Sequence, residues 1–525
     1  MKRTTSLLFS VLCGLLLFAA WPVSPLTMLI FIAFVPLLIV EDFARRKMQF
    51  FGWCYLSFFI WNLATTWWIW NASREGAVLA IVLNSLLMCI PWMGFYTVKR
   101  RLGEKWGYAA LFFFWLSFEW LHLQNWGLSW PWLTLGNVFA NRPRWIQWYE
   151  ITGSSGGSAW VIGVNILIYL WLSGKTLHSK LNPALTPMLA VLIPLMLSLA
   201  MHPAAVSTVA TTNVVIVQPN IDPYEEKFEA GTQEAQIQKL IRLSESKIDS
   251  STALVVWPET AVPIQADENT LDSNFFFRPI WAFLARHPNL SLCTGIDSYK
   301  KFTKGEAITS TARQLERSGI YFDAYNTAAL FQSGAKDQLY HKSKLVPGPE
   351  MLPPWLNFLG KLFEDFGGIA GTLAGQDERT VLQARQGYKI APAICYESIY
   401  GEFMTSYVRG GANVIGIITN DGWWGNTPGY LQHMSYARLR AIETRRWVVR
   451  SANTGVSCYI DPLGKVYDAQ PWDISSAIKM SVPKEEHITF FVRFGDLLSR
   501  LFLAAGLVIL IYSYYWRFTH KRNTR

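Results

Sequence analysis

The stretch KIAPAICYES, residues 389–398, runs apolar and β-rich to Ile394 and then presents Cys395. A short apolar run of this kind reads as a buried strand. The helix-like YESIYGEFMTSYVRGG that follows makes its end a strand-to-helix junction. Sulfur at such a junction has the amides of the next turn beside it, available to a developing oxyanion. Two other strand-like runs end on groups that a reactive thiol needs: VVWPETAVP (255–263) carries Glu259 and YHKSKLVPGPE (340–350) carries Lys342.

Each of the three has a bland reading when taken alone. A free Cys is commonly a small buried hydrophobe, the acid of WPE is an ordinary strand-end carboxylate, and Lys342 beside Lys344 is a solvated amine. Together they form a nucleophile with its activators. A thiol of pKa about 8.5 is mostly protonated at neutral pH and needs a base or a nearby cation. Glu259 serves as base if burial beside Trp257 and Pro258 raises its pKa toward that of the thiol. Lys342 can lower the thiol pKa and neutralise an oxyanion. Among His202, His287, His341, His433 and His487, only His341 has a comparable strand-end setting.

Outward from these motifs, strand-like runs at 214–220, 253–259, 290–296, 326–331, 388–397, 413–421 and 448–460 alternate with helical spacing at 234–248, 275–287 and 430–446. That pattern predicts an α/β layered domain. The Pro- and Gly-rich 348–376 reads as loop; PGPEMLPPWLNFLGKLFEDFGGIAG (347–371) and DGWWGNTPGYL (421–431), with Trp423 and Trp424, are candidate lipid-contacting lids.

Both ends of the chain are apolar. Of 525 residues 51% are hydrophobic and 16% charged, against about 25% charged in a soluble domain. Apolar runs near 6–21, 24–40, 50–70, 77–97, 107–124, 157–173 and 183–201, and one near 495–516, predict a bundle of eight transmembrane helices. A cleaved leader would share Lys2, Arg3 and the small Ala19 and Ala20, but a second apolar run follows at once, so the first is read as a span. Arg45, Arg46, Lys47, Lys99, Arg100, Arg101, Lys175, Lys180 and the basic tail fall on one side if the helices alternate. The positive-inside rule makes that side cytoplasmic and puts the polar stretch outside the cytoplasm. The expected domains are therefore 1–201, 202–494 and 495–525. The net charge of +10 is partly topological and gives no reason to invoke nucleic acid. The six cysteines show no CxxC or metal-ligand spacing, so no metal or cofactor is expected.

Residues 213–482, through VVWPET, YHKSKLVP, PAICYE, TNDGWWG and RSANTG, resemble the carbon-nitrogen hydrolase (nitrilase) superfamily. The resemblance implies a four-layer αββα sandwich, a covalent thioester or thioimidate on Cys395, Glu259 as base and Lys342 as oxyanion stabiliser. With apolar runs on both sides, the whole chain resembles the membrane-bound apolipoprotein N-acyltransferases. That family implies an acyl donor such as phosphatidylethanolamine, a diacylglyceryl-cysteine apolipoprotein acceptor, and a monomer in a bacterial inner membrane with its site on the periplasmic face. Glu350 and Glu397 match acids that support the family's site, and Tyr396 its aromatic residue after the nucleophile. Gly348 and Pro349 stand where the family commonly has Phe-Gly. Physical logic agrees: withdrawing an acyl chain costs about 0.8 kcal/mol per CH₂, so an enzyme handling two lipidated substrates keeps its sulfur at the headgroup level. The rival readings are a membrane-anchored amidase, a transporter with an extracytoplasmic domain, for which Glu119 is the clearest ionisable residue within a span, and an inactive binding module.

Overall fold

A computed structural model describes residues 2–124, 126–127, 129–175, 184–201, 211–315, 319–351 and 372–522. It divides into two compact units: Met1–Trp70, Arg74–His202 and Phe494–Arg525 form one, Asn71–Ser73 and Pro203–Arg493 the other.

The first unit is helical. Among the described residues, four helices are long and apolar enough to cross a membrane, not the eight expected: Arg3–Ala20, Arg74–Leu102, Tyr149–Leu172 and Leu497–Thr519. The remaining apolar runs fall short for identifiable reasons. The second contains Pro25 and Pro36, with Pro22 just before it, and breaks into a 3₁₀ turn, Thr27–Phe31, and a nine-residue helix, Val35–Phe43, which at about 1.5 Å per residue covers less than half of a bilayer core. Leu185–Ala200 is only 16 residues long. Lys47–Thr66 and Glu104–His122 have the length but carry polar, charged and indole groups that lower their hydropathy. Buried charge also extends beyond Glu119. The amine of Lys99 is buried against the carboxylates of Glu41 and Asp42, a pairing that a loop-charge reading of Lys99 misses.

The second unit is built on two sheets. The strands are β1 (Thr211–Gln218), β2 (Thr252–Val256), β3 (Val262–Asp267), β4 (Ser291–Lys301), β5 (Arg313–Gln314), β6 (Tyr321–Gln332), β7 (Gln338–His341), β8 (Leu382–Gln383), β9 (Lys389–Ile394), β10 (Val414–Thr419), β11 (Trp447–Ala452), β12 (Cys458–Ile460), β13 (Val466–Tyr467) and β14 (Ser476–Pro483). One sheet has the order β14-β1-β2-β4-β6-β5, with β3 on β4 and β7 on β6; the other has the order β13-β12-β11-β10-β9-β8. β1, β2 and β4 pair in parallel, as do β9, β10 and β11. Such strands are covered on both faces, which is why they read as unbroken apolar runs.

The layers follow from the packing. Ile237, Leu240 and Ile241 of helix Gln233–Glu245, and Ile280, Phe283 and Leu284 of helix Arg278–Arg286, bury one face of the first sheet with Val215, Val217, Val255, Leu292 and Phe331. Its other face meets the second sheet. The Tyr459 hydroxyl sits 2.7 Å from the Val214 carbonyl and 3.0 Å from that of Ile478, and the Ser451 hydroxyl donates to the Val217 carbonyl at 2.8 Å. Helices Gly401–Arg409 and Pro428–Thr444 pack on the second sheet. The result is an αββα sandwich. Two readings need correction. The run at 448–460 is two strands, because Asn453–Gly455 turns the chain, with φ +141° at Gly455. The helix after Cys395 is a 3₁₀ turn, Cys395–Ile399, followed by a separate helix from Gly401.

Candidate active site

β2 ends at Val256, and Trp257 and Pro258 carry the chain to Glu259, which is buried. Gly295 on β4 makes that bend possible: a Cβ there would lie 2.4 Å from the Thr260 nitrogen and 2.6 Å from the Glu259 Cα. Glu259 Oε1 accepts from Asn326 Nδ2 at 2.8 Å and from Lys342 Nζ at 3.3 Å. Its Oε2 accepts the backbone N–H of Asn420, at the end of β10, at 3.1 Å. The Glu259 carbonyl in turn accepts from the buried amine of Lys227 at 3.1 Å.

Lys342 follows β7 directly and is 1% exposed. Its Nζ lies 2.7 Å from Glu350 Oε1, so two carboxylates share one ammonium. Asn326 Nδ2 also reaches Glu350 Oε1, at 3.3 Å. Burial opposes the charge of Lys342, but Glu350, Glu259 and then Cys395 raise its pKa above the ordinary 10.5.

Cys395 begins the turn after β9, next to β10 in the second sheet, and has a left-handed backbone, φ +50°. Its thiol is pushed well above the ordinary value, first by burial and then by the charge of Glu259, with Lys342 pulling the other way. The resting thiol is therefore S–H rather than thiolate.

Glu397 braces this assembly without a hydrogen bond to Lys342 among those found. Its Oε1 accepts from the Tyr340 hydroxyl at 2.6 Å, the Ser343 N–H at 2.7 Å and the Lys344 N–H at 3.2 Å; its Oε2 accepts from the Ile394 N–H at 2.9 Å. One buried carboxylate thus ties the segment carrying Lys342 to the strand end carrying Cys395. Tyr396 is buried, its ring edge-on to Tyr400 at 5.3 Å.

The two tryptophans part company. The Trp423 ring stands 5.2 Å from that of Tyr224 and 6.4 Å from that of Phe228, both half exposed, whereas Trp424 packs edge-on to the buried His433 at 5.3 Å. Of the two lids read from sequence, 352–371 lies outside the described residues. The other is structured: a 3₁₀ turn, Asp421–Trp424, then the start of helix Pro428–Thr444, with Asp421, Gly422 and Gly429 buried. Sequence reasoning missed Asn326, Lys227, Asn420 and Gly295. Only Asn326 left a signal, since an amide inside a strand-like run is out of place.

Comparison with known proteins agrees with this architecture. The carbon-nitrogen hydrolase family matches residues 213–483 and the apolipoprotein N-acyltransferase N-terminal domain matches residues 13–167. The apolipoprotein N-acyltransferase of Chlorobaculum tepidum is 32% identical over 95% of this chain and 95% of its own length. That of Azotobacter vinelandii is 28% identical over 97% of this chain and 92% of its own. The nitrilase-superfamily protein Nit3 of Saccharomyces cerevisiae superposes with a TM-score of 0.38 at 16% identity, covering 53% of this chain and 93% of its own. With both of its parts matched and a relative of this identity aligned almost end to end, the chain belongs to the apolipoprotein N-acyltransferase family.

Proposed function

We propose that the chain transfers a fatty acyl group from a phospholipid to Cys395, and from Cys395 to the α-amino group of the diacylglyceryl-modified N-terminal cysteine of a lipoprotein. The observation that carries this reading is the buried cluster of Glu259, Lys342 and Glu350, two carboxylates on one ammonium, beside a protonated thiol. Such a site has a carboxylate left over to act as base and a fixed cation for an oxyanion.

In the first half-reaction Glu259 takes the Cys395 proton as sulfur attacks the ester carbonyl of the donor. Lys342 balances the negative oxygen of the tetrahedral intermediate. The C–O bond breaks, Glu259 returns the proton to the glycerol oxygen, and a lysophospholipid leaves. In the second, the neutral amine attacks the thioester and gives a proton to Glu259; the C–S bond breaks and sulfur takes that proton back. Glu350 holds Lys342 in place, and Tyr396 offers its backbone N–H to the oxyanion. Trp423, with Tyr224 and Phe228, is the aromatic surface for an acyl chain.

Four helices long and apolar enough to cross a membrane, together with membership of this family, support a place in the bacterial inner membrane with the α/β unit on the periplasmic side. The test is mass spectrometry of the full-length protein incubated with phosphatidylethanolamine. An acyl mass on the Cys395 peptide, discharged by a diacylglyceryl-cysteine peptide, is expected. Release of free fatty acid without transfer would instead identify a hydrolase.

A further inference from the structure

Left-handed backbone at a residue bearing a Cβ is sparsely populated and persists only where its surroundings over-determine it. At Cys395 those surroundings are a buried polar network. The Cys395 carbonyl accepts from the Ser398 hydroxyl at 2.8 Å and lies 3.1 Å from His433 Nε2. Ser398 Oγ and His433 Nε2 are 2.9 Å apart. On its other side the His433 ring presents Nδ1 to Asp421 Oδ1 at 2.9 Å. Asp421 Oδ2 accepts from Arg450 Nη2 at 2.7 Å, and Asp421 Oδ1 accepts from the Thr419 hydroxyl at 2.9 Å. Asp421, His433 and Arg450 are fully buried, and Ser398 is 1% exposed. Gly455 leaves the room: a Cβ there would lie 2.7 Å from Asp421 Oδ2.

Hydrogen-bond stereochemistry assigns the protons. The Asp421 carboxylate can only accept, so the 2.9 Å contact places a proton on Nδ1; Arg450 Nη2, which can only donate, lies farther from the same nitrogen, at 3.2 Å, and nearer to Asp421 Oδ2, at 2.7 Å. The Cys395 carbonyl can only accept too. Nε2 then meets the Ser398 hydroxyl at 2.9 Å and the Cys395 carbonyl at 3.1 Å, and the Ser398 hydroxyl reaches the same carbonyl at 2.8 Å, so ring and hydroxyl together enclose it. The Asp421 pKa agrees: burial works against ionisation, but Arg450 and His433 hold it down at about 2.

We propose that His433 is a positioning residue for the thiol chemistry. Anchored by Asp421 and Arg450, its ring holds the Cys395 carbonyl together with Ser398 and fixes the turn that presents the sulfur. The inference rests on Cys395 being the nucleophile.

The experiment uses the full-length protein in micelles with phosphatidylethanolamine. It reads three quantities: the single-turnover rate of acyl loading on Cys395, the rate of Cys395 alkylation by iodoacetamide, and the KM for the phospholipid. His433→Ala should slow loading and alkylation about 10- to 100-fold, the range for leaving buried hydrogen-bonding groups without their partner, with KM within about twofold of wild type. His433→Gln, which keeps an N–H, should recover part of the loss. Ser398→Ala should show a smaller fall in the same two rates, and Ser398→Thr should restore them. Wild-type loading and alkylation in folded His433→Ala overturn the proposal, and so does a loss confined to KM. If His433→Ala does not fold, unchanged rates in both His433→Gln and Ser398→Ala overturn it instead. Cys395→Ala separates the two levels of the argument: if it still transfers acyl groups the nucleophile is misassigned, whereas if it is dead and His433→Ala is normal, only the role of His433 fails.

Discussion

Two buried lysines, one in each unit, each sit between two carboxylates, and they are not equivalent. Lys99 lies against Glu41 and Asp42; Lys342 lies 3.3 Å from Glu259 and 2.7 Å from Glu350. Around Lys99 the charges are matched, because Arg100 also pairs with Glu41 at 3.4 Å and Lys175 bridges Asp42 and Glu104 at 2.9 and 2.6 Å. Three cations meet three acids. Around Lys342 the other donors to the Glu259 carboxylate are neutral, the Asn326 amide and the Asn420 N–H, while a further cation, Lys227, donates to the Glu259 carbonyl and is offset by Asp297. That leaves a carboxylate in excess beside a thiol. The same motif is charge-balanced in the helical unit and carries an excess of acid in the α/β unit.

The sharpest way to break this contrast is to neutralise one acid in each cluster. Glu259→Gln keeps size and hydrogen-bonding capacity but removes the base, and should lower the acyl-transfer rate about 10³-fold without changing the unfolding temperature appreciably. Glu41→Gln should leave the transfer rate within about twofold while lowering the unfolding temperature, because Lys99 and Arg100 lose a buried partner. Equal effects of the two substitutions on activity would end the distinction.

Removing the cations comes next. Lys342→Met should cost about 10²- to 10³-fold in kcat, the range for losing one oxyanion partner. Lys99→Met should act on stability, at about 3–5 kcal/mol for an unpaired buried charge, with near-normal kcat in the protein that remains folded. Activity and thermal unfolding measured on the same detergent preparation separate these outcomes.

How much of this contrast was readable beforehand depends on where each signal lives. Glu259 and Cys395 follow apolar runs that the parallel strands β2 and β9 require, and Lys342 follows the short antiparallel β7, so the α/β unit and its three candidate residues were legible together. Glu350 and Glu397 came only through resemblance to a family, because their work is done across space: Glu397 binds donors at 340, 343, 344 and 394. β3 and β14 escaped because their exposed, polar positions interrupt the apolar pattern. The eight-span reading failed because run length ignores the prolines at 22, 25 and 36 and the charges at 104, 105 and 119. Lys99 was taken for a loop cation, since nothing in its own neighbourhood announces Glu41 and Asp42 more than fifty residues earlier.

A smaller effect tests geometry rather than charge. Gly295→Ala places a Cβ where the backbone of Glu259 and Thr260 passes, at 2.6 and 2.4 Å, and neither backbone can yield without moving the carboxylate. A displacement of about 1 Å at a reacting group costs on the order of 10²-fold, so kcat should fall by roughly 10- to 100-fold, with the helical unit unaffected. Wild-type kcat in Gly295→Ala would show that the position of Glu259 is not critical.

The smallest effect is a slope of stability against pH. The folded-state pKa of Lys342 is raised above its ordinary 10.5 by Glu350 and Glu259 against the opposing effect of burial. A lysine with a raised folded value contributes stability that is fully present below the unfolded value. Above it the unfolded chain loses its proton first, and the contribution declines as pH rises toward the folded value. Between about pH 9.5 and 11.5, the unfolding temperature of the wild-type protein should therefore fall more steeply than that of Lys342→Met, which has no such proton to lose. Other lysines and tyrosines titrate in the same window, so the informative quantity is the difference between the two curves. Parallel curves would mean that the Lys342 ammonium gains nothing from its two acids on folding, and the excess of carboxylate over cation that separates this cluster from the one around Lys99 would lose its energetic meaning.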